Sequence, residues 1–368
     1  MAGWYAEILD VRGAFLHGEF EEGTRLFMEV PDGFRTFYPG DVLLLLLQTI
    51  YGLKQAAFAF WVELLKAFYD MCYKRSKADP CLYYQWTSIG LILWISWVDD
   101  CLVTGNKKNV LHAKSEMMSR FDCDEVGVLK EYIGCKLDWD KEQGTMKVTQ
   151  PVLLQSLKDE FRVSEEQPPT TPAEPGSVLS MDEDTEVMKE SDQKTYRSCV
   201  GKLLHMMKWS RPEISNAVRE LSRFMKAATL AHMKAMKRVM SYIIATPERG
   251  LLLEPNAKWD GNPEFEFEVS GQSDSDYAKD PMTRRSVSGY ATFLNGAVVM
   301  TKSKMQQSVS LSVTEAELVA ATLFAQDMLF IIQVLESIEL KVKKPMIFKV
   351  DNQSTKDLTN NLSVIGQT

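Results

Sequence analysis

Residues 89–104, IGLILWISWVDDCLVT, decide how the chain is read. An apolar run rich in Ile and Trp, Ile89–Trp97, stops at Asp99-Asp100, and a second short run, Cys101–Thr104, follows at once. Two extended segments around a tight polar turn predict a β-hairpin, here with two carboxylates at its tip. Tyr5–Asp10 reads as another strand, delivering Asp10 at its end. Phosphoryl transfer by two divalent ions needs carboxylates converging from separate strands. Magnesium is satisfied by a few of them plus substrate phosphates. Asp is also a favoured turn residue, so Asp99-Asp100 alone is equally an ordinary turn.

Outward from the hairpin, residues 1–160 mix short apolar runs with helical stretches such as Ala56–Tyr69, an α+β pattern. Residues 164–190 hold four prolines and eight acids against one Lys, including Asp182-Glu183-Asp184, and read as an exposed linker. Residues 191–250 carry twelve Lys/Arg against four Asp/Glu, in a chain whose formal net charge is -8. Globally that charge opposes binding to phosphate backbones, while this basic segment favours it. Ser210-Arg211-Pro212-Glu213 fits a capping box, followed by Ile214, Ala217, Val218, Leu221, Phe224 and Met225 at helical spacing. A second helix carries Ala235, Met236, Val239, Met240 and Ile243 on one face and Lys234, Lys237 and Arg238 on another. The six cysteines form no C-x-x-C pair, which excludes an ordinary zinc site and suggests reduced thiols in an intracellular protein. The apolar runs 42–47 and 90–98 fall short of the roughly 20 residues a membrane helix needs, so no membrane partner is expected.

A second acidic set lies downstream. Glu264–Val269 alternates strictly and predicts a half-buried strand running into Ser273-Asp274-Ser275-Asp276. Two further strands, Ser288–Leu294 and Ala297–Thr301, flank Asn295-Gly296, a type I′ turn signal. A helix over about 314–338 follows, then a strand, Met346–Val350, ending at Asp351. On that helix Glu317 shares a face with Ala320, Ala321, Phe324 and Met328, where a carboxylate is costly unless paired or metal-bound. Glu315 fits the N3 position of a capping box started by Ser312 and is assigned to structure. Asp274, Glu317 and Asp351 are thus the candidates for chemistry, with Asp276 the alternative to Asp274.

The ordered motifs Asp10–Gly18 (DVRGAFLHG), Met28–Phe34 (MEVPDGF), Tyr51–Ala56 (YGLKQA) and Trp97–Asp100 (WVDD) closely resemble the reverse transcriptase of copia-type LTR retrotransposons. The resemblance continues through Glu131–Gly134 (EYIG), Tyr196–Leu204 (YRSCVGKLL), Arg211–Ile214 (RPEI) and Leu221–Met225 (LSRFM). Ser273–Ala278 (SDSDYA), Arg285–Tyr290 (RSVSGY), Ser312–Glu317 (SVTEAE) and Val350–Ser354 (VDNQS) are similar to the ribonuclease H domain of the same polyprotein. It implies a partial polymerase palm over 1–163, a linker over 164–190, a basic helical thumb or connection over 191–255, and an α/β ribonuclease-H-like domain with a mixed sheet over 264–368. By resemblance Asp10, Asp99 and Asp100 bind the polymerase metals, and Asp274, Glu317 and Asp351 those of the nuclease. Each centre would take two Mg²⁺, with Mn²⁺ as a substitute. Phe15 would stack under the incoming sugar and disfavour ribonucleotides. Gly52, Leu53, Lys54 and Gln55 would position template and nucleotide. Implied partners are an RNA template, a DNA primer, the RNA–DNA hybrid, deoxynucleoside triphosphates and other parts of the Pol polyprotein, in a cytoplasmic particle or the nucleus.

Four departures accompany the resemblance. The chain starts shortly before Asp10, where the family has basic fingers. Trp97 replaces the Tyr of Y-V-D-D. Ala56–Trp61 (AAFAFW) stands where the family has A-P-R-x-W. The chain ends at Thr368, where the family's nuclease continues to a further acid. Both domains are therefore expected to be truncated, and a decayed, inactive fragment retaining at most nucleic-acid binding is the second reading.

Overall fold

The computed structural model describes residues 4–38, 40, 42–161, 168–181 and 186–360. The acidic run 182–184 and the segment 361–368 lie outside the described residues. The chain divides into two compact units, one of residues 2–129 with 260–262, the other of 130–259 with 263–368. With eight α-helices and several sheets among the described residues, the class is α+β. The division falls at 129/130, inside the stretch 1–163 expected to form one palm.

In the first unit, strands β1 (Tyr5–Val11), β2 (Phe27–Glu29), β3 (Leu43–Leu45), β4 (Lys74–Arg75), β5 (Leu82–Thr87), β6 (Gly90–Trp97), β7 (Asp100–Gly105) and β8 (Cys123–Val128) accompany helices α1 (Ala56–Asp70) and α2 (Lys107–Arg120). Six strands form one antiparallel sheet in the order β4-β5-β6-β7-β1-β8, and β2 pairs with β3 in a separate ribbon. Successive side chains of a strand point to opposite faces. Leu9 and Val11 of β1 therefore turn together into a core with Trp94 and Cys101, closed by Phe60, Leu64 and Phe68 of α1 and Val110 and Met117 of α2. Asp10, between Leu9 and Val11, points to the other face.

The second unit begins with β9 (Glu131–Tyr132), β10 (Cys135–Asp140) and β11 (Thr145–Thr149), to which β12 (Leu251–Leu253) adds from far along the chain. Between them run α3 (Pro151–Glu160), α4 (Glu190–Trp209), α5 (Ser215–Ser222) and α6 (Leu230–Ala245). Their apolar faces share one core, with Leu157, Leu203, Val218, Met236 and Val239 buried in it. The described part of the expected linker lies against this core through Ala173 and Leu179, and Arg238 donates to Thr171 Oγ1 and pairs with Glu174. The predicted capping box at Ser210 does not form. Ser210 caps the end of α4 and its buried hydroxyl donates to Gln150 Oε1, while Glu213 accepts from Arg211 Nε. Pro212 opens a short 3-10 turn and α5 starts only at Ser215.

The rest of this unit comprises β13 (Glu266–Phe267), β14 (Val269–Asp276), β15 (Val287–Leu294), β16 (Ala297–Met305), α7 (Val313–Ser337), β17 (Lys341–Val342), β18 (Ile347–Val350) and α8 (Gln353–Asn360). The sheet order is β16-β15-β14-β18, antiparallel except for β18, which runs parallel to β14. The alternating stretch 264–269 is not one strand. Phe267 and Val269 are both buried, but β13 pairs with β17 while β14 joins the main sheet. The Asn295-Gly296 hairpin has φ 47 and 81, both positive as a type I′ turn requires. Among the described residues, α7 is the one helix long and apolar enough to cross a membrane by length and composition, a segment the apolar-run reading passed over. Here one stripe of it, including Ala320, Phe324, Met328 and Ile332, is buried, and it packs on β14 and β15.

Candidate metal centres

The antiparallel register sets Asp10 directly opposite Asp100 on one side and Asp124 of β8 on the other. Directly opposed residues share a face, so three carboxylates lie in a row across β7, β1 and β8. Asp99 sits in the two-residue turn between β6 and β7, and its carbonyl accepts from Val11 N at 3.0 Å. The turn is strained: Val98 has φ 57, a left-handed conformation that β-branched residues avoid. Burial, then the charges of Asp99 and Asp124, push the Asp10 carboxyl above its ordinary range, against the opposing pull of Arg12. Burial, then Asp99 and Asp10, do the same to Asp100. Arg12 bonds Asp124 and holds that carboxyl low. Asp124 was missed in the sequence, although Asp122 and Asp124 around buried Cys123 show the alternation of a strand end.

Phe15 follows β1 in a short 3-10 turn, half-buried, with its ring edge-on to Tyr51 at 4.9 Å. Tyr51, at the start of the Tyr51–Gln55 stretch, is therefore in contact with it. Gly52 turns with φ 92, Leu53 N donates to Ile50 O, Lys54 is exposed, and Gln55 occupies the N-cap of α1. Trp97 is exposed at the end of β6, opposite Asp100.

The second set is tighter. Asp274 on β14, Glu317 on the first turns of α7 and Asp351 just past β18 offer ligand oxygens within 4.8 Å of one another. No other trio of His, Cys, Asp or Glu among the described residues comes so close; Asp10, Asp99 and Asp100 do not. The pairing with β18 ends at Ser273, so on that edge of β14 Ser275 faces no strand, and Glu317 Oε1 accepts from its amide at 3.1 Å and from Ser275 Oγ at 2.8 Å. Glu317 is 3% exposed, and its Oε2 is buried with no hydrogen-bond partner. Burial first, with Asp274 and Asp351 adding repulsion, raises its carboxyl against the pull of Ser275. A buried carboxylate oxygen without a protein donor beside two exposed carboxylates suits a divalent cation, which takes oxygen ligands and offsets like charge. Asp276, the alternative to Asp274, pairs with Lys279 at 3.0 Å. Glu315 is structural: its amide donates to Ser312 Oγ and its Oε2 accepts from Leu311 N.

Residues 1–175 match the family described as reverse transcriptase (RNA-dependent DNA polymerase). The chain is 29% identical over 360 residues to the retrovirus-related Pol polyprotein from transposon TNT 1-94 of Nicotiana tabacum, covering 96% of this chain and 26% of that protein. It is also 29% identical over 350 residues to the Pol polyprotein from transposon RE1 of Arabidopsis thaliana, covering 95% and 23%. Over most of its length the chain is similar to copia-type retrotransposon Pol polyproteins. A putative transposon Ty5-1 protein of Saccharomyces cerevisiae is 25% identical over 316 residues, 85% of this chain and 98% of that protein. The chain spans about a quarter of the length of the transposon Pol polyproteins it matches. Its match to the reverse transcriptase family contains Asp10, Asp99, Asp100 and the Tyr51–Gln55 turn.

Proposed function

We propose that the chain is part of a copia-type retrotransposon Pol protein, with an RNA-directed DNA polymerase centre at Asp10, Asp99 and Asp100 and a ribonuclease H centre at Asp274, Glu317 and Asp351. The observation that carries the polymerase half is the register of Asp10 opposite Asp100, with Asp99 in the adjoining turn, inside the stretch matching the reverse transcriptase family. The nuclease half is supported by the mixed sheet β16-β15-β14-β18 with α7 packed on it and the three carboxylates at the end of β18. In this reading the first unit is palm, the helices α3–α6 are thumb and connection, and the mixed sheet is the nuclease. Divalent cations bound at either centre would activate the attacking oxygen and stabilise the leaving one.

The chain's own residues do the rest. The carboxylate row on β7, β1 and β8 presents negative charge on the sheet face away from the core. Phe15, braced by Tyr51, is the bulk that would press on the sugar of an incoming deoxynucleoside triphosphate. Ser275 holds Glu317 through Oε1 and leaves Oε2 without a protein donor.

Primer extension on an RNA template with Mg²⁺ tests the first centre, and cleavage of a labelled RNA–DNA hybrid tests the second. Asp99→Asn and Asp100→Asn should each lower extension by roughly a hundredfold or more while sparing hybrid cleavage, and Asp274→Asn the reverse. A parent chain that neither extends nor cuts supports the relic reading instead.

A further inference from the structure

Gln306 is 2% exposed, a neutral amide buried eleven residues before Glu317, while Gln307 beside it faces solvent. It follows the last residue of β16, and its backbone amide continues the ladder by donating to Ser286 O at 2.9 Å. A buried polar side chain is costly unless its hydrogen bonds are made. Gln306 Nε2 donates to Ser288 Oγ at 3.0 Å and to Ala316 O at 2.9 Å, and its Oε1 accepts from Ser310 Oγ at 3.0 Å. Ser288 and Ser310 are buried as well. The amide fits only one way round. A hydroxyl donates or accepts, but a carbonyl only accepts, so the NH₂ group must face Ala316 O.

These bonds close a ring on the candidate metal centre. Ala316 O belongs to the peptide that joins Ala316 to Glu317, so Gln306 holds the Glu317 backbone. The Glu317 carboxylate is held separately by the amide and hydroxyl of Ser275. Ser275 of β14 lies opposite Ser288 of β15 in the antiparallel register, and directly opposed residues share a face. A single path therefore runs from the Glu317 carboxylate through Ser275, Ser288 and Gln306 back to the Glu317 backbone. Asp274, next to Ser275, is opposite Gly289 in the same register. The ring thus ties the first turns of α7 to the strand that carries Asp274.

Capping does not explain Gln306. The first turn of α7 is already capped by Ser312, whose side chain accepts from Glu315 N. A carbonyl inside a helix takes the N–H four residues on, and Gln306 uses the second lone pair of Ala316 O. What its bond adds is the placement of helix against sheet. Ligands on different elements share a cation only when held to within about 0.5 Å of the productive geometry. We infer that Gln306 is a positioning residue of the centre at Asp274, Glu317 and Asp351, setting the Glu317 carboxylate against Asp274 without itself touching metal or substrate. The inference rests on the proposed metal centre and adds to it a residue outside the three carboxylates.

The test is Mn²⁺ binding to the full chain, read from the electron paramagnetic resonance signal of the free ion well below the melting temperature, a readout independent of hybrid cleavage. Glu317→Gln defines the share of binding that belongs to this centre. Gln306→Leu keeps most of the bulk and removes the amide, and it should weaken that share about tenfold. Ile332→Ala, farther along the buried stripe of the same helix, controls for lost stability: it should lower the melting temperature and leave Mn²⁺ affinity unchanged. A folded Gln306→Leu that binds Mn²⁺ like the parent overturns the inference alone. So does Ile332→Ala weakening binding as much as Gln306→Leu, since stability would then set the affinity. Where Gln306→Leu does not fold, Ser288→Ala, which removes one acceptor from the ring, takes its place. Weaker binding by Ser288→Ala upholds the ring, and binding equal to the parent's overturns it. Mn²⁺ binding indifferent to Glu317 removes the metal centre itself, and the positioning role with it.

Discussion

Replacing Glu317 with Gln separates a metal-binding carboxylate from a merely buried one. In the absence of metal, Glu317 buries a carboxylate whose Oε2 has no donor, beside Asp274 and Asp351. A buried acceptor left unsatisfied costs about 1–3 kcal/mol, and more when charged. Gln keeps the Oε1 acceptor for Ser275 and puts two N–H donors where Oε2 was, in a site that holds two further carboxylates. Glu317→Gln should therefore stabilise the chain in EDTA by about 2 kcal/mol, a rise of about 4–8 °C for a unit of this size. With Mg²⁺ at a hundred times its dissociation constant the parent should gain about 2.7 kcal/mol, and the variant should lose most of that response. The pH dependence has a definite sign. Burial, then the neighbouring carboxylates, raise the Glu317 pKa in the folded state. Its contribution to stability is therefore full at low pH and lost as pH rises through the raised value. The gap in melting temperature between variant and parent in EDTA should widen above the ordinary carboxylate range of roughly 4–5. Thermal unfolding followed by circular dichroism measures all three effects. A variant less stable than the parent in EDTA, with an unchanged Mg²⁺ shift, refutes the reasoning.

Gly271→Ala would place a Cβ 2.5 Å from Phe324 Cζ and should cost roughly 3 kcal/mol of unfolding free energy in urea, an unchanged midpoint counting against the packing. Asp280 is fully buried and takes an ion pair from Arg223 at 2.5 Å; Asp280→Ala should cost about 3 kcal/mol at neutral pH. Burial pushes that carboxyl up, but Thr283 and Arg223 together hold it below the usual range, so its stabilisation is lost as pH falls and the variant should be less acid-sensitive there. Val98→Gly should relieve the left-handed turn, φ 57, and stabilise the first unit by up to about 1 kcal/mol in urea unfolding; destabilisation would show that Val98 packing outweighs the strain.

What the sequence made legible follows how far apart the deciding contacts lie. The hairpin around Asp99, the Asn295-Gly296 turn and the buried stripe of α7 are set by residues within a few positions of one another and are readable from spacing, although the hairpin turns at Val98-Asp99 and not at the expected Asp99-Asp100, which leaves Asp100 as the first residue of β7. Glu317 and Glu315 were separable for the same reason: two residues apart, they fall on different sides of a helix of 3.6 residues per turn. Alternation from 264 to 269 identified the buried face, because Phe267 and Val269 are indeed inside, but a period of two names a face and not a partner. Thus β13 and β14 went to different sheets without any break in the pattern. The Ser210 capping box failed because Ser210 closes α4, its amide bonded to Met206 O, and a 3-10 turn at Pro212 delays the next helix to Ser215.

Asp124 shows the same limit at the site itself. It joins Asp10 only because β8 pairs with β1 across a register shift between Ile8 and Leu9. Slipping that pairing by one residue would turn Asp124 to the core face and bring Cys123 or Glu125 into the row. The row is thus a property of strand order and register, held by the apolar side chains of β1 on the other face. Substitutions in that core, such as Leu9→Ala, should disturb the carboxylates on the opposite face without touching one of them. Leu9 is fully buried, so its truncation should cost about 3 kcal/mol. If the carboxylate row and the core were independent, the same substitution would lower stability yet leave primer extension at permissive temperature unchanged. A register held by the core predicts that extension falls even where the chain remains folded.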